Sequence, residues 1–258
     1  MTYLEEILAS TRVRLEALRL RAQEDLEANA IAQVEPRDFL GAITRPGMSL
    51  ITEIKRRSPS AGEIRSDVDP SSLAAAYRDG GARAISVLTE PAHFGGSSED
   101  LVLAKESSGL PVLRKDFILH HFQILESRAD GADAVLLIVA AIGDRVLLRD
   151  LSHAAAELGM AALIEVHRPE ELEDALSLDP KLVGVNQRDL TTFAVDRDLA
   201  ARLRPEIPAG VAVIAESGVA NRGDVQKLED AGIDGVLVGE ALMRAEDSAR
   251  AVSDLLGQ

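Results

Sequence analysis

Glu53 and Lys55 in SLITEIKRRSPSAG (residues 49–62), Lys115 in RKDF, Glu165 in LIEVH and Glu216-Ser217 in AESG each follow a short apolar run. An ammonium can give up a proton and a carboxylate can take one, so a set of this kind suits general acid–base chemistry. Strand side chains alternate, which puts Glu53 and Lys55 on one face. The bland alternative for residues 49–62 is an edge strand with a solvated, charged end. Arg56 and Arg57 add positive charge where that strand gives way to its loop. Of 28 basic residues only Lys55, Lys105, Lys115, Lys181 and Lys227 are Lys; the others are Arg. A Lys kept at a strand tip points to work that needs a dissociable proton, which guanidinium cannot supply.

Eight short apolar runs read as strands: Leu50–Lys55, Ala84–Leu88, Pro111–Arg114, Ala134–Val139, Ala161–Val166, Leu182–Val185, Val211–Ala215 and Gly235–Val238. Short runs that are mostly apolar fit strands buried on both faces of a parallel sheet. Helical patterns lie between them, including Ser71–Arg78, Phe122–Ala129, Arg145–Leu158, Pro169–Leu176, Arg197–Leu203 and Arg222–Ala231. Gly80, Gly131, Gly159 and Gly232 supply the expected helix stops. Eight such units predict an α/β fold, a (β/α)8 TIM barrel. A doubly wound sheet is the rival, but no GxGxxG or P-loop pattern is present.

Before the first strand, residues 2–21 read as an amphipathic helix with Thr2 and Glu5 at capping-box spacing. The segment from Ala28 to Pro36 reads as polar, and Asp38–Ile43 as a second short helix. The expected organisation is one barrel domain over residues 1–258, of which 1–47 is a helical extension packed near the mouth.

Chemistry in such a barrel sits at the C-terminal strand ends. Asn186 with Arg188 joins the acids and bases there, Ile214 shares a face with Glu216, and Leu163 with Glu165. Any one of these tips has a structural explanation; their joint placement is harder to explain that way. Ser217-Gly218 after strand seven and Gly239 after strand eight occupy the usual phosphate-binding loops of a barrel.

Composition bounds the rest. With 46% hydrophobic and 28% charged residues the chain is an ordinary globular one, and it has no Cys. Net charge of −15 and 3% aromatics argue against nucleic acid as a partner. No apolar run has membrane length, and no basic-then-apolar leader is present. A cytoplasmic monomer with no membrane partner is the expectation. The five His are read as surface residues, with adjacent His120 and His121 pointing apart. No metal site is predicted.

Taken together, EIKRRSPSAG, SVLTEPAHFGGS, VLRKDFI, ADAVLLIV, LIEVH, GVNQRDL, AESGV and LVGEALMR closely resemble indole-3-glycerol phosphate synthase, from the N-terminal helix to Met243. The resemblance implies a cofactor-free carboxy-lyase of tryptophan biosynthesis. Its small-molecule phosphorylated substrate would be 1-(2-carboxyphenylamino)-1-deoxyribulose 5-phosphate. Carried over by motif, Lys115 would be the general acid and Glu165 the general base, with Glu53 and Lys55 assisting later proton transfers. Asn186 and Arg188 would position the intermediate, and Glu216 and Ser217 would complete the polar ring. Phe94 and Phe117 would flank the anthranilate ring, and Ser58, Gly218 and Gly239 would hold the phosphate. Two positions depart from the common pattern: Ala61 stands where Lys is frequent, and Glu240 where many relatives have Ser, leaving only its backbone N–H as a phosphate contact. The rival readings are another phosphosugar barrel, such as phosphoribosylanthranilate isomerase, and an inactive barrel used as a binding module. The former is usually shorter, and no acid–base residue is missing to favour the latter.

Overall fold

The computed structural model describes residues 2–20 and 23–258. Among them, eight parallel strands close into a barrel: β1 Ser49–Ile54, β2 Ala84–Leu88, β3 Val112–Lys115, β4 Ala134–Ile138, β5 Ala161–Val166, β6 Leu182–Asn186, β7 Ala212–Glu216 and β8 Gly235–Val238. Strand β8 pairs with β1 in parallel, Ser49 opposite Gly235 and Thr52 opposite Val238, which leaves the barrel sheet without an edge. The fold is the (β/α)8 barrel that the strand pattern predicted.

Period two decides what each strand contributes. Ile51, Leu113, Leu163, Ile214 and Leu237 belong to the cluster that fills the barrel. Leu50, Val112, Ile164, Val213 and Val236 belong to the larger layer between sheet and helices. Following each inward row to its C-terminal end leads from core to chemistry: Ile51 to Glu53 and Lys55, Leu113 to Lys115, Leu163 to Glu165, Ile214 to Glu216.

Helices α1 Tyr3–Arg19, α2 Gln23–Ala32 and α3 Phe39–Ile43 precede the barrel. Thr2 and Glu5 form the predicted reciprocal cap of α1, while Arg21, the expected end of that helix, lies outside the described residues. Tyr3, Leu4 and Ile7 of α1 reach the mouth. Phe39 and Ile43 of α3 join the barrel-filling cluster at the opposite end, where Ser49 Oγ donates to the Ile43 carbonyl. Helix α2 falls partly on the stretch read as polar. It buries Leu26 and Ala30, one turn apart, and Leu26 packs with Leu15 and Leu18 of α1 and with Phe122 and Leu125. Two buried positions in ten residues make too narrow a stripe for periodicity to reveal.

Around the sheet run α4 Pro70–Asp79, α5 Pro91–Phe94, α6 Ser98–Ser108, α7 His121–Ala129, α8 Val139–Ile142, α9 Arg145–Glu157, α10 Leu172–Leu176, α11 Leu199–Leu203, α12 Arg222–Asp230, α13 Glu240–Met243 and α14 Ser248–Leu256. His120 corrects one expectation: its ring lies 4.2 Å from that of His121, so the two do not point apart. His120 is the N-cap of α7, with Nδ1 accepting from Phe122 N–H, and side chains at a helix start do not alternate as they do in a strand.

Candidate active site

The C-terminal ends of the strands surround a cavity of about 400 Å3. Glu53, Lys55, Ser58, Phe94, Lys115, Phe117, Glu165, Asn186, Arg188, Glu216, Ser217, Gly218, Gly239 and Glu240 all line it. Every residue singled out from the sequence as a candidate therefore faces one space.

Lys115 is its centre. Nζ lies 2.9 Å from Glu165 Oε2 and 2.8 Å from Glu216 Oε2. Burial by itself pulls the ammonium down, but Glu165, Glu216 and Glu53 outweigh it and hold the group above its ordinary value. The two carboxylates are driven apart. Burial pushes Glu165 up, yet Lys115 and His167 bring it below the usual range. Glu216 is pushed up to about 8 by burial and by its neighbour Glu165, against the pull of Lys115. The pair thus keeps one proton near neutrality, on Glu216, leaving Glu165 charged and able to accept another.

Close backbone approach makes room for these acids. A Cβ on Gly184 would come within 2.4 Å of Glu216 Oε1, and one on Gly239 within 2.2 Å of Glu53 Oε2. Both glycines leave volume for a carboxylate, a use separate from the phosphate contact expected at Gly239. Lys55 Nζ sits 2.5 Å from Glu53 Oε2, a second ion pair beside the first.

The remaining candidates are held by short local contacts. Asn186 Oδ1 accepts from Ser217 Oγ at 2.8 Å and from Arg188 N–H at 3.1 Å. Ser217 itself has φ 65°, a conformation that costs a non-glycine residue energy. Phe94 and Phe117 stand 6.3 Å apart between centroids. Glu90, nearly fully buried, accepts from the N–H groups of Ala92, His93 and Phe94 and so fixes the turn that carries Phe94. Glu240 turns its carboxylate to Arg244 Nε at 3.1 Å. Ala61 does not line the cavity; its N–H donates to Ser58 Oγ at 3.2 Å. Arg56 and Arg57 do not line it either: Arg56 grips Asp100, and Arg57 the carbonyls of Pro91 and Ala92.

Three residues given no role in the sequence matter here. Asp116, fully buried, accepts from Arg14 Nη2 of α1 at 2.6 Å and from Thr89 Oγ1 at 2.8 Å, which ties helix and strand to the base of Lys115. Arg14 and Asp116 are distant in sequence, so no local signal links them. His167 is buried at 6% exposure, which corrects its reading as a surface residue; Nε2 lies 3.1 Å from Glu165 Oε1. Its place two residues after Glu165, on the same face of an extended chain, was the available signal.

The proton on Glu216 has a consequence for stability. The folded state keeps a proton there that the unfolded chain releases near the ordinary value of 4.5. This contribution is complete below that value and is lost as pH rises through about 8. Raising the pH from about 5 to 9 is expected to cost at least ~1 kcal/mol through this group, about 2–4 °C in Tm. Glu216→Gln, neutral throughout, should show a correspondingly flatter profile in thermal unfolding followed by circular dichroism. Equal slopes would mean that Glu216 is ionised in the fold.

Comparison with known proteins agrees across the chain. A family profile described as indole-3-glycerol phosphate synthase matches residues 4–255. The chain is 47% identical over 256 residues to an indole-3-glycerol phosphate synthase of Mycobacterium avium (strain 104), covering 99% of this chain and 94% of that one. It is 48% identical over 238 residues to indole-3-glycerol phosphate synthase 2 of Streptomyces coelicolor, covering 92% of each. Among solved structures, orotidine 5'-phosphate decarboxylase from Pyrococcus horikoshii OT3 superposes with a TM-score of 0.60 at 17% identity, over 80% of this chain and 97% of that one. At that identity the likeness speaks for the barrel alone.

Proposed function

The chain belongs to the indole-3-glycerol phosphate synthase family, and from that premise we propose how its barrel mouth carries out the reaction. The activity is that of a carboxy-lyase in tryptophan biosynthesis. It closes the pyrrole ring of 1-(2-carboxyphenylamino)-1-deoxyribulose 5-phosphate, releases CO2 and eliminates water, giving indole-3-glycerol phosphate.

In our reading the anthranilate ring lies between Phe94 and Phe117, and the phosphate meets Ser58 and the backbone at Gly218 and Gly239. The aromatic carbon bearing the carboxylate attacks the ribulose carbonyl, and charge gathers on its oxygen. Lys115 gives that oxygen a proton, which lowers the barrier where an unaided alkoxide would form. Loss of CO2 returns the bonding electrons to the ring. Dehydration then needs a base for one C–H proton and an acid for the departing hydroxyl. Glu165, kept ionised, is the base; Lys55, paired with Glu53, stands ready as the acid. Asn186 and Arg188 orient the intermediate, and Glu216 with Ser217 completes the polar ring. The observation that carries the assignment is a buried lysine shared by two carboxylates driven to opposite protonation states.

The proposal extends to a single barrel domain over 1–258, of which 1–47 is the helical extension. It also takes the protein to be a cytoplasmic monomer that needs no cofactor and binds no nucleic acid. Incubation with the substrate, followed by indole fluorescence and released CO2, tests the reading: the two should rise together in equal amounts. Fluorescence without CO2, or binding without turnover, would favour the inactive-barrel alternative.

Glu240 should matter little. Its carboxylate faces Arg244, and turning it onto a phosphate would bring two negative charges to short range. Glu240→Ser is expected to change KM by less than about threefold, a difference under ~1 kcal/mol. A tenfold change in steady-state KM would show that the side chain reaches the phosphate.

A further inference from the structure

We propose that His167 is a positioning residue for Glu165, holding the carboxylate oxygen that Lys115 does not hold. Resting on the reading of Glu165 as the base, the inference adds a residue that its motif-based assignment did not include.

Glu165 divides its two oxygens. Oε2 meets Lys115 Nζ at 2.9 Å, and Oε1 meets His167 Nε2 at 3.1 Å. The imidazole is buried, and neither of its nitrogens has a partner in good hydrogen-bond alignment. A buried ring with both nitrogens left so is uncommon, because such groups are normally satisfied. Its near polar contacts are carboxylates. Besides Glu165 there is Glu171, whose Oε2 accepts from His167 N–H at 2.7 Å and lies 3.9 Å from Nδ1. Glu171 therefore fixes the backbone and backs the ring, and the ring backs Glu165.

The titratable groups facing Glu165, charged or not, can be named element by element. They are His167 and Glu171 from its own chain segment, Lys115 from β3 and the protonated Glu216 from β7. Its in-register neighbours in the sheet, Ile138 on β4 and Gly184 on β6, carry no charge. When the substrate carbonyl takes the Lys115 proton, Glu165 Oε2 loses its cation. His167 is then the remaining contact that keeps the carboxylate in place and ionised for the dehydration step. This agrees with the direction of the Glu165 shift, to which His167 contributes alongside Lys115.

Two substitutions separate positioning from packing. His167→Phe keeps a buried ring and removes the nitrogen. His167→Gln keeps an amide N–H able to reach the same oxygen. For His167→Phe, kcat should fall about tenfold with KM within about threefold, and the acidic limb of the kcat/KM profile should move to higher pH by ~1 unit. His167→Gln should stay within about threefold of the parent with the limb nearly in place. If His167→Phe does not fold, His167→Asn takes its place: its amide is too short to reach Glu165, so the same loss is expected. A folded His167→Phe or His167→Asn with parental kcat and an unmoved acidic limb overturns the inference, as does His167→Gln impaired equally with no limb shift. Glu165→Gln, assayed alongside, separates the two levels. Near-parental activity in Glu165→Gln would defeat the base assignment itself; loss there together with a parental His167→Phe defeats only the role of His167.

Discussion

Lys115→Arg is expected to lower kcat at least ~10²-fold while substrate binding stays within about tenfold of the parent. Arginine keeps the positive charge facing Glu165 and Glu216, so the attraction for an anionic substrate survives. It does not keep the function, because a guanidinium cannot release its proton at any working pH. The space is also narrow. Nζ now sits 2.9 and 2.8 Å from two carboxylate oxygens, and a planar fork aims its donors differently from a single ammonium. Lys115→Met, which removes charge and proton together, should be similarly slow in kcat and weaker in binding. Rapid-mixing kinetics that resolve the chemical step, on protein shown by circular dichroism to be folded, provide the check. Near-parental turnover in Lys115→Arg would move the acid role to Lys55.

Glu165→Gln carries the second large effect, a loss of ~10²–10⁴ in kcat. Gln has the same shape and can still accept from Lys115, so the fold should be preserved. The lost element is a base: Glu165 is held ionised against burial by the positive groups around it, and an amide has no such form. Because the change leaves Lys115 with Glu216 opposite, ring closure should suffer less than dehydration. Quenched single-turnover samples should therefore contain a decarboxylated, still hydrated intermediate. Absence of that intermediate combined with turnover within about threefold of the parent would assign the base elsewhere.

What the sequence made legible, and what it did not, follows from the range over which each signal acts. Strand β2, β5 and β8 fall at the expected residues, because buried parallel strands are short apolar runs that composition alone exposes. Period two was enough to align Leu163 with Glu165 and Ile214 with Glu216, and the inward rows follow it. The Arg14–Asp116 pair depends on a helix crossing the barrel mouth, which no local pattern encodes. Helix α2 hides because its buried stripe is only Leu26 and Ala30, too narrow for periodicity to reveal. His167 reads as a surface residue because a lone histidine carries no spacing, although its distance of two from Glu165 is the clue. The room that Gly184 and Gly239 leave for carboxylates is visible only once neighbouring strands are placed side by side. Likewise, the sequence shows only that Arg56 and Arg57 add positive charge where the strand gives way to its loop; that Asp100 and two backbone carbonyls claim them is visible in the fold alone.

In the proposed mechanism one mouth holds the phosphate at one side and presents Lys115 to the reacting carbon at the other. A crystal structure with the product indole-3-glycerol phosphate bound tests it directly. The phosphate is expected against the backbone of Gly218 and Gly239 and near Ser58, with the indole ring between Phe94 and Phe117. Lys115 Nζ should then lie within about 3–4 Å of the ring carbon that carried the hydroxyl, the reach expected of a proton donor whose oxygen has left. A product bound with its phosphate beside Lys115 and its ring toward Gly218, or bound outside this cavity, would rule out these roles.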